Sequence, residues 1–256
     1  MNETENRLYN DLAWLWPLWG APSGDYARWC AQVTRMIEKY ANRPLRTILN
    51  MGCGGGKNAY NLKGRYAVTG IDHSPHMLEL ARQLNPECRF IQADMRQFEL
   101  GETFDAILVD DAISYMTSLE ELSGVFAAAY RHLVPGGVLI VTPDETRESF
   151  RQNYTEATLS ERDDNPWPGQ DWPADLEVAF IENYYDPDPS DSAYEATFLY
   201  LIRQAGQLRI ESDRHILGLF SLVDWRELLR IAGFTLHEEK DTEFERLPPI
   251  FVCLKA

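Results

Sequence analysis

The chain has 256 residues, of which 45% are hydrophobic and 12% aromatic, so it can bury a sizeable core as one domain. Its 24 lysine and arginine residues are outnumbered by 40 aspartate and glutamate residues, and the formal net charge of −16 disfavours nucleic acid and anionic membranes as partners. No run approaches the roughly 20 apolar residues of a membrane span, and residues 1–10 are too polar for a signal peptide, so we expect neither a membrane protein nor an exported one.

The cysteine pattern indicates a reducing environment. Cys30, Cys53, Cys88 and Cys253 are scattered, with no Cys-x-x-Cys pair and no histidine at a metal-ligand interval. The sequence therefore predicts a cytoplasmic protein without a bound metal.

Between residues 46 and 142, short apolar runs alternate with helical stretches, which is typical of a parallel sheet covered by helices on both faces. The five predicted strands are Thr47–Met51, Tyr66–Ile71, Arg89–Gln92, Phe104–Val109 and Gly137–Val141. Helices are predicted over Pro75–Gln83, where proline suits the first turn, and over Leu119–Leu133, which Pro135 and two glycines end. This pattern predicts a doubly wound α/β fold.

The second half of the chain begins with the polar segment Arg147–Pro173, which has no sustained period and is predicted to be a loop or lid. Three strands then form an antiparallel β insertion after strand five: Leu176–Tyr185, Tyr194–Arg203 and Leu208–His215. A helix capped by Ser221 and two strands, near Phe234–His237 and Ile250–Leu254, complete a seven-stranded, mostly parallel Rossmann-like sheet. The single predicted domain has four parts: an N-terminal helical cap (1–45), a cofactor-binding core (46–146), a lid with the substrate insertion (147–220), and the last core elements (221–256).

A glycine-rich loop, Asn-Met-Gly-Cys-Gly-Gly-Gly over residues 50–56, follows the first strand and opens a helix. Glycine lets the backbone turn tightly and approach a ligand closely. Asp72 ends the second strand, where a carboxylate can accept both hydroxyl groups of a ribose. These features indicate a cofactor that contains a nucleoside.

Two other nucleotide sites fit less well. The dinucleotide fingerprint would need glycine at Lys57, and a P-loop would need serine or threonine at Asn58. ATP hydrolysis is unsupported, and a nicotinamide oxidoreductase stays as an alternative that tight NADH binding would revive.

The chain resembles the class I S-adenosylmethionine-dependent methyltransferases. Five segments carry the resemblance, in the order expected of the family: residues 48–56, 70–78, 92–95, 104–110 and 133–137. It implies that the glycine loop lies under the methionine part of S-adenosylmethionine, that Asp72 holds the ribose, that Met77 packs on adenine, and that Asp94 and Met95 bind the adenine edge. It also implies that the N-terminal segment closes over the cofactor, with Tyr9 as its best match. The cofactor-binding candidates are Tyr9, Asn50, Gly52, Cys53, Gly54, Gly56, Asp72, His73, Met77, Asp94, Met95 and Asp110.

One position departs from the family, which usually has aspartate or glutamate where this chain has Asn50, near the ammonium group of the cofactor. Asparagine still accepts a hydrogen bond but lacks the charge, and Asp110 is the candidate to compensate.

The insertion resembles a narrower group, the amino-sugar N,N-dimethyltransferases, through residues 185–187, the paired strands and residues 213–220. This likeness implies methyl transfer to nitrogen.

The catalytic candidates follow from position. Asp111 lies after the fourth strand, on the expected substrate side, and His215 ends a lid strand and has an ordinary pKa near neutrality. A hydrogen-bonded core histidine is the alternative for His215. We assign no chemistry to His76, His132 or His237, and none to His73 beyond its place beside Asp72.

The sequence thus predicts an S-adenosylmethionine-dependent methyltransferase that releases S-adenosylhomocysteine and acts on a small-molecule substrate, preferably at an amine nitrogen. The alternatives are O-methylation and a binding module without catalysis, for which the departure at Asn50 leaves room. We expect no nucleic acid and no membrane as partner, and a homodimer is compatible with the sequence. The aromatic run over residues 14–19 caps the active site or fills the core.

Overall fold

A computed structural model describes residues 6–160, 167, 172–241 and 248–256. The helices are two short 3-10 helices (Arg7–Tyr9 and Ala13–Leu18), α1 (Asp25–Tyr40), α2 (Lys57–Leu62), α3 (Pro75–Leu84), a 3-10 helix (Asp111–Tyr115), α4 (Leu119–His132) and α5 (Leu222–Ile231). The strands are β1 (Thr47–Met51), β2 (Ala67–Asp72), β3 (Arg89–Gln92), β4 (Phe104–Val109), β5 (Leu133–Val141), β6 (Tyr154–Leu159), β7 (Glu177–Tyr185), β8 (Ala193–Gln204), β9 (Gln207–Gly218), β10 (Phe234–Glu239) and β11 (Ile250–Lys255).

Seven strands form the main sheet in the order β10-β11-β5-β4-β1-β2-β3, in which β11 is antiparallel to both of its neighbours and the other four pairs are parallel. All six residues of β4 are buried, because hydrophobic side chains and helices cover both faces of the sheet. The predicted Rossmann-like α/β fold is confirmed.

The strand order reverses between β1 and β4, which lie side by side while their connections leave in opposite directions. Ligands of open α/β sheets bind in the crevice outside the carboxyl ends of such strands. The loops that follow β1 and β4 are the glycine loop and the pair Asp110-Asp111. The topology therefore brings these two predicted groups to one crevice.

A second, antiparallel sheet, which we call the insertion sheet, has the order β6-β7-β8-β9. It has four strands instead of the predicted three, because β6 lies within the segment 147–173 that we predicted to be a loop or lid. Four of its six residues are exposed at the sheet edge, so it has no alternation of apolar and polar residues to reveal it. Residues 161–166 and 168–171 of the predicted loop lie outside the described residues.

Residues 6–19, which we call the cap segment, contain the first two 3-10 helices. Leu8, Leu12, Leu15 and Leu18 are buried in one hydrophobic core with the inner face of the insertion sheet, including Phe180. Trp19 stacks on Phe180, with ring centroids 5.1 Å apart. The cap segment is therefore packed as part of the insertion, although it is far from it in sequence.

Local signals explain the helix boundaries near the site. The Ser74 hydroxyl accepts from the Met77 amide and caps α3, and Ser221 and Asp224 form a capping box at α5. β5 begins at Leu133, earlier than predicted, because the strand continues directly from the end of α4. No helix of the described residues is long and apolar enough to span a membrane.

Candidate active site

Asn50 lies near the end of β1 and is fully buried. Neither its side-chain nitrogen nor its oxygen has a hydrogen-bond partner among the residues described. Buried amides are normally satisfied, so both atoms are free to bind a polar ligand group. An amide can accept from an ammonium group and donate to a carboxylate, which are the two charged ends of an amino acid. Asn50 therefore fits the methionine part of the expected cofactor.

The glycine loop needs glycine for conformation and for space. Gly52, Gly54 and Gly56 have φ angles of +69°, +50° and +84°, a region that side chains disfavour. A Cβ atom at Gly52 would lie 2.2 Å from the Cβ atom of Ala112. The loop after β1 and the turn after β4 thus approach each other closely, leaving backbone to line the crevice.

Asp72 holds the glycine loop and the start of α3 together. One carboxylate oxygen accepts from the amide of Gly54 at 2.8 Å, and the other accepts from the amide of Ser74 at 2.8 Å. Burial raises the pKa of Asp72, while these two amide donors oppose the rise. A carboxylate has about four acceptor sites, so capacity remains for two ribose hydroxyl groups.

The other predicted cofactor residues occupy different surroundings. Met77 is fully buried against Ala13 and Trp167, and Met95 lies beside Gly52. Asp94 accepts three hydrogen bonds from the guanidinium group of Arg96, which lower the pKa of Asp94. The remaining two candidates are Cys53, whose buried sulfur faces Gly70, and the exposed His73.

Asp110 lies at the edge of β4 next to the glycine loop. One of its oxygens accepts from the indole nitrogen of Trp29 and from the amide nitrogen of Asn58, both at 2.9 Å. Burial, and next the charge of Asp111, raise its pKa well above the usual range. Because a raised pKa favours the neutral carboxyl group, the predicted compensation for the missing charge at Asn50 stays a prediction.

Asp111 and Asp144 lie close enough to affect each other's ionisation, although one follows β4 and the other follows β5. Asp111 reaches solvent inside the crevice, yet the protein surrounds it, and this enclosure raises its pKa. Burial raises the pKa of Asp144 to about 7, although Asp111 acts in the opposite direction. Enclosure in the protein thus favours the protonated form of both carboxyl groups.

The inner face of the insertion sheet adds a third carboxyl group. Glu182 accepts a hydrogen bond of 2.6 Å from the Tyr184 hydroxyl, and burial raises its pKa to about 7. Tyr194 is 1% exposed, and its hydroxyl has no hydrogen-bond partner among the residues described. Burial, and then the charge of Asp144, raise its pKa. We call Asp111, Asp144 and Glu182 the acidic cluster.

The cap segment covers the glycine loop. The Trp16 ring lies where a Cβ atom of Gly55 would be, at 2.5 Å. Lys57, the first residue of α2, is 2% exposed and donates to the carbonyl oxygens of Trp16 and Trp19. Sequence reasoning used Lys57 only to exclude a dinucleotide site. A lysine at a helix N-terminus, where a positive charge is unfavourable, was the available signal.

His215 lies inside the insertion and does not face the crevice directly. It is 0% exposed and bonds through Nδ1 to the Tyr115 hydroxyl at 2.5 Å and through Nε2 to Asp213 at 2.8 Å. Tyr115 in turn bonds to the Tyr9 hydroxyl at 2.9 Å. The structure therefore connects His215 to the site through two tyrosines. Asp213, which sequence reasoning missed, shares the inner face of β9 with His215 because they are two residues apart.

No cluster of described histidine, cysteine and acidic residues has the arrangement of a metal site.

Comparison with known proteins identifies the family. Residues 48–137 match the family described as "Methyltransferase domain". A dTDP-4-amino-2,3,4,6-tetradeoxy-D-glucose N,N-dimethyltransferase from Saccharopolyspora spinosa is 32% identical over 209 residues, covering 80% of this chain and 78% of that protein. A dTDP-3-amino-3,4,6-trideoxy-alpha-D-glucopyranose N,N-dimethyltransferase from Streptomyces venezuelae is 30% identical over 141 residues, covering 54% of this chain. The match spans 59% of that relative, little more than half of its length.

Solved structures agree with the sequence matches. An amino pentose methyltransferase from Micromonospora echinaspora, bound to S-adenosylmethionine, superposes with a TM-score of 0.77 at 25% identity, over 90% of this chain and 92% of that one. The chain therefore belongs to the class I S-adenosylmethionine-dependent methyltransferases, as an enzyme whose methyl donor is S-adenosylmethionine.

Proposed function

We propose that this enzyme methylates an amine nitrogen of a small molecule, such as an amino sugar. The observation that carries the proposal is the acidic cluster: three carboxyl groups and the unpartnered Tyr194 hydroxyl lie between the carboxyl ends of β4 and β5 and the insertion sheet. The named relatives that act on amino sugars support the same acceptor class.

The charge of the cluster favours a cationic acceptor. Among the described residues, no lysine or arginine forms an ion pair with Asp111, Asp144 or Glu182. Buried carboxylates are normally paired, so the cluster binds an ammonium group more favourably than a hydroxyl or a second carboxylate. Tyr194 adds a hydroxyl that can accept from the same group or donate to a neighbouring hydroxyl.

When bound, S-adenosylmethionine supplies an electrophilic methyl group on a sulfonium. Asn50, Asp72 and the glycine loop would hold it at the crevice, and the cap segment would exclude water from it. Asp111 lies on the other side of the crevice, where it can accept a proton as an ammonium becomes a free amine. Position then provides most of the acceleration, because near-attack placement alone contributes about 7 to 11 kcal/mol.

The insertion sheet is the proposed platform for the acceptor. Its inner face contributes Glu182, Tyr184 and Tyr194, which lie close enough to Asp144 to interact with its charge. The core that contains the glycine loop and Asp72 binds the donor. This division assigns the two reactants to different parts of one domain.

The test is a methylation assay with a matched pair of acceptors: the nucleotide-linked 4-amino sugar named for the Saccharopolyspora spinosa relative, and the same sugar with a hydroxyl at that position. Release of S-adenosylhomocysteine and a product heavier by one or two methyl groups are expected with the amine alone. Methylation of the hydroxyl sugar on oxygen, without turnover of the amine, would contradict the proposal.

A second arm uses Asp111→Asn. If position dominates, this variant slows amine methylation about tens-fold, whereas loss of a general base for an oxygen acceptor costs about 100- to 10,000-fold. The control is Asp188→Asn, whose carboxyl group is exposed on a turn of the insertion. Complete loss of activity in Asp111→Asn, with S-adenosylhomocysteine affinity retained, would contradict amine methylation.

A further inference from the structure

The indole nitrogen of Trp16 is buried at the glycine loop and has no hydrogen-bond partner among the described residues. It lies 2.5 Å from the place that a Cβ atom of Gly55 would take, and Cζ2 of the same ring lies 3.3 Å from the corresponding place at Gly54. An indole nitrogen can only donate a hydrogen bond, and a buried donor without an acceptor is costly. A polar ligand beside the glycine loop would supply the acceptor.

Gly55 differs from the other glycines of the loop in the reason for which glycine is needed. Gly52, Gly54 and Gly56 have positive φ angles, whereas Gly55 does not. A side chain at Gly55 would instead collide with the ring of Trp16. The absence of a side chain at position 55 therefore lets the indole N–H group lie against the backbone of the loop.

Lys57 holds the Trp16 ring in this place. Its ammonium group donates to the carbonyl oxygen of Trp16 at 3.0 Å and to that of Trp19 at 2.5 Å, and it lies 4.6 Å from the centroid of the Trp16 ring. Lys57 is 2% exposed, so water does not compete for these contacts. The indole N–H group is therefore positioned before a ligand binds, which lowers the entropy cost of binding.

The chemistry of the cofactor limits what this N–H group can bind. The methionine part of S-adenosylmethionine has an ammonium and a sulfonium, which accept no hydrogen bond, and a carboxylate, which does. The ribose is assigned to Asp72, and the adenine edge is assigned to Asp94 and Met95. A donor at the glycine loop is therefore matched to the carboxylate.

The residues near the expected ammonium group offer less charge. Asn50 supplies a neutral amide, and burial raises the pKa of Asp110, which favours its neutral carboxyl group. Neutral acceptors form weaker hydrogen bonds with an ammonium group than carboxylates do. The carboxylate end of the methionine part should therefore contribute more to binding than the ammonium end.

We propose that the indole N–H group of Trp16 binds the carboxylate of S-adenosylmethionine, and that this chain recognises its methyl donor mainly through that carboxylate. The inference rests on the place that the proposed function gives to the donor, beside the glycine loop, and not on the identity of the acceptor. It assigns a cofactor-binding role to Trp16, which the sequence indicated only as part of an aromatic run that caps the site or fills the core.

The first test compares S-adenosylhomocysteine with its decarboxylated and its deaminated analogue, each titrated into the full chain by calorimetry. Removal of the carboxylate should weaken binding about 10- to 100-fold, and removal of the amino group should weaken it less than about tenfold. The net charge of −16 opposes this order, because it favours the more positive ligand. An equal or greater loss on removal of the amino group would overturn the preference for the carboxylate.

The second test is Trp16→Phe, which keeps an aromatic ring and removes the N–H group. Binding of S-adenosylhomocysteine and of the deaminated analogue should weaken about tenfold, while binding of the decarboxylated analogue should not change. The matched control is Trp14→Phe in the same 3-10 helix, where the ring lies 5.8 Å from the guanidinium carbon of Arg209. Equal losses for all three ligands in Trp16→Phe would overturn the assignment, because they would show that Trp16 acts by packing alone.

A spectroscopic measurement on the unaltered sequence does not depend on the folding of Trp16→Phe. The full chain is labelled with ¹⁵N-tryptophan, and the Trp16 signal is identified by replacing Trp16 with 3-benzothienylalanine, which has the shape of tryptophan but a sulfur in place of N–H. The indole proton should move downfield when S-adenosylhomocysteine or the deaminated analogue binds, and not when the decarboxylated analogue binds. The same shift with the decarboxylated analogue would overturn the assignment.

These outcomes are separate from those of the methyl acceptor. Methylation of oxygen acceptors alone, with the carboxylate preference present, contradicts the proposed function and leaves the role of Trp16 intact. Methylation of the amine, with no loss of affinity on removal of the carboxylate, overturns the role of Trp16 alone.

Discussion

The ammonium group of Lys57 donates a hydrogen bond of 3.0 Å to the carbonyl oxygen of Trp16 and lies 4.6 Å from the centroid of the same residue's ring. One cation therefore satisfies the end of a 3-10 helix and packs on the aromatic ring that covers the glycine loop. At the beginning of the cap segment, the carboxylate of Asp213 accepts hydrogen bonds from the backbone amides of Arg7 and Leu8. The cap segment is thus held at both ends by buried charges of the sign that its helix dipoles favour.

Lys57→Met tests whether the ammonium group of Lys57 stabilises the cap segment. The variant keeps the apolar stem but leaves the carbonyl oxygens of Trp16 and Trp19 without their donor, so the free energy of unfolding should fall by about 1–3 kcal/mol. The affinity for S-adenosylhomocysteine should fall as well, because Trp16 contacts Gly55. Urea denaturation and calorimetry measure the two effects. The control is Lys39→Met, whose ammonium is 61% exposed and bonds to Glu239, and an equal effect there would contradict this role for Lys57.

Asp72→Asn tests the ribose site. An aspartate-to-alanine change would also remove the acceptor for the Gly54 and Ser74 amides and disturb the glycine loop, so asparagine is the cleaner substitution. Loss of a charged acceptor costs about 1.5–3 kcal/mol, which corresponds to about 10- to 100-fold weaker binding of S-adenosylhomocysteine. Calorimetry on the folded variant measures this change. Glu79→Gln, at an exposed position of α3, is the control, and equal affinity in both variants would remove Asp72 from the ribose role.

Much of the fold could be predicted because its signals are local. The bounds of β1, β3 and β4 and the cap at Ser221 follow from apolar runs and side-chain chemistry within a few residues. The exposed β6 carries no such pattern and was missed. The roles of Lys57 and Asp213 depend on contacts across long stretches of chain, so no local pattern indicates them.

The candidate site also contains some residues that local sequence signals indicate and others that depend on long-range contacts. Asp111 was expected on the substrate side because parallel strands end at one sheet edge. Its contact with Asp144 and the approach of Glu182 depend on how the insertion sheet lies against that edge. The surroundings of His215 could not be predicted from the sequence either, because Tyr115 and Tyr9 come from distant parts of the chain.

Phe180→Ala tests whether the insertion supports the cofactor site. Phe180 is fully buried and stacks on Trp19 of the cap segment, so its truncation should lower the free energy of unfolding by about 3–5 kcal/mol. It should also weaken binding of S-adenosylhomocysteine, because Trp19 belongs to the cap segment, which covers the glycine loop. Leu201→Ala, on the outer face of the same sheet, is the control. Unchanged affinity in folded Phe180→Ala would show that the cap segment closes independently of the insertion.

Asp144→Asn tests the raised pKa of the acidic cluster. Burial raises this pKa from 3.8 in the unfolded chain to about 7 in the folded enzyme, so the folded state binds more protons between these values. The contribution of Asp144 to stability is therefore complete at low pH and is lost as the pH rises through about 7. Asparagine removes this loss, so the variant should gain stability relative to the parent at about pH 8 compared with about pH 5.

Urea denaturation of both proteins at the two pH values measures the difference, and Asp188→Asn is the control because its exposed carboxyl group has a pKa lowered by Ser190. Parallel pH dependences in parent and Asp144→Asn would contradict the raised pKa. Ligand binding gives an independent measurement of the same pKa. An ammonium group in the crevice favours the ionised form of Asp144. Binding of sinefungin, a cofactor analogue that carries an amine, should therefore release protons from the parent near pH 6, and binding of S-adenosylhomocysteine should release fewer. Calorimetry in two buffers of different ionisation enthalpy counts these protons, and the excess released with sinefungin should be smaller in Asp144→Asn because one of the groups that supplies it is gone.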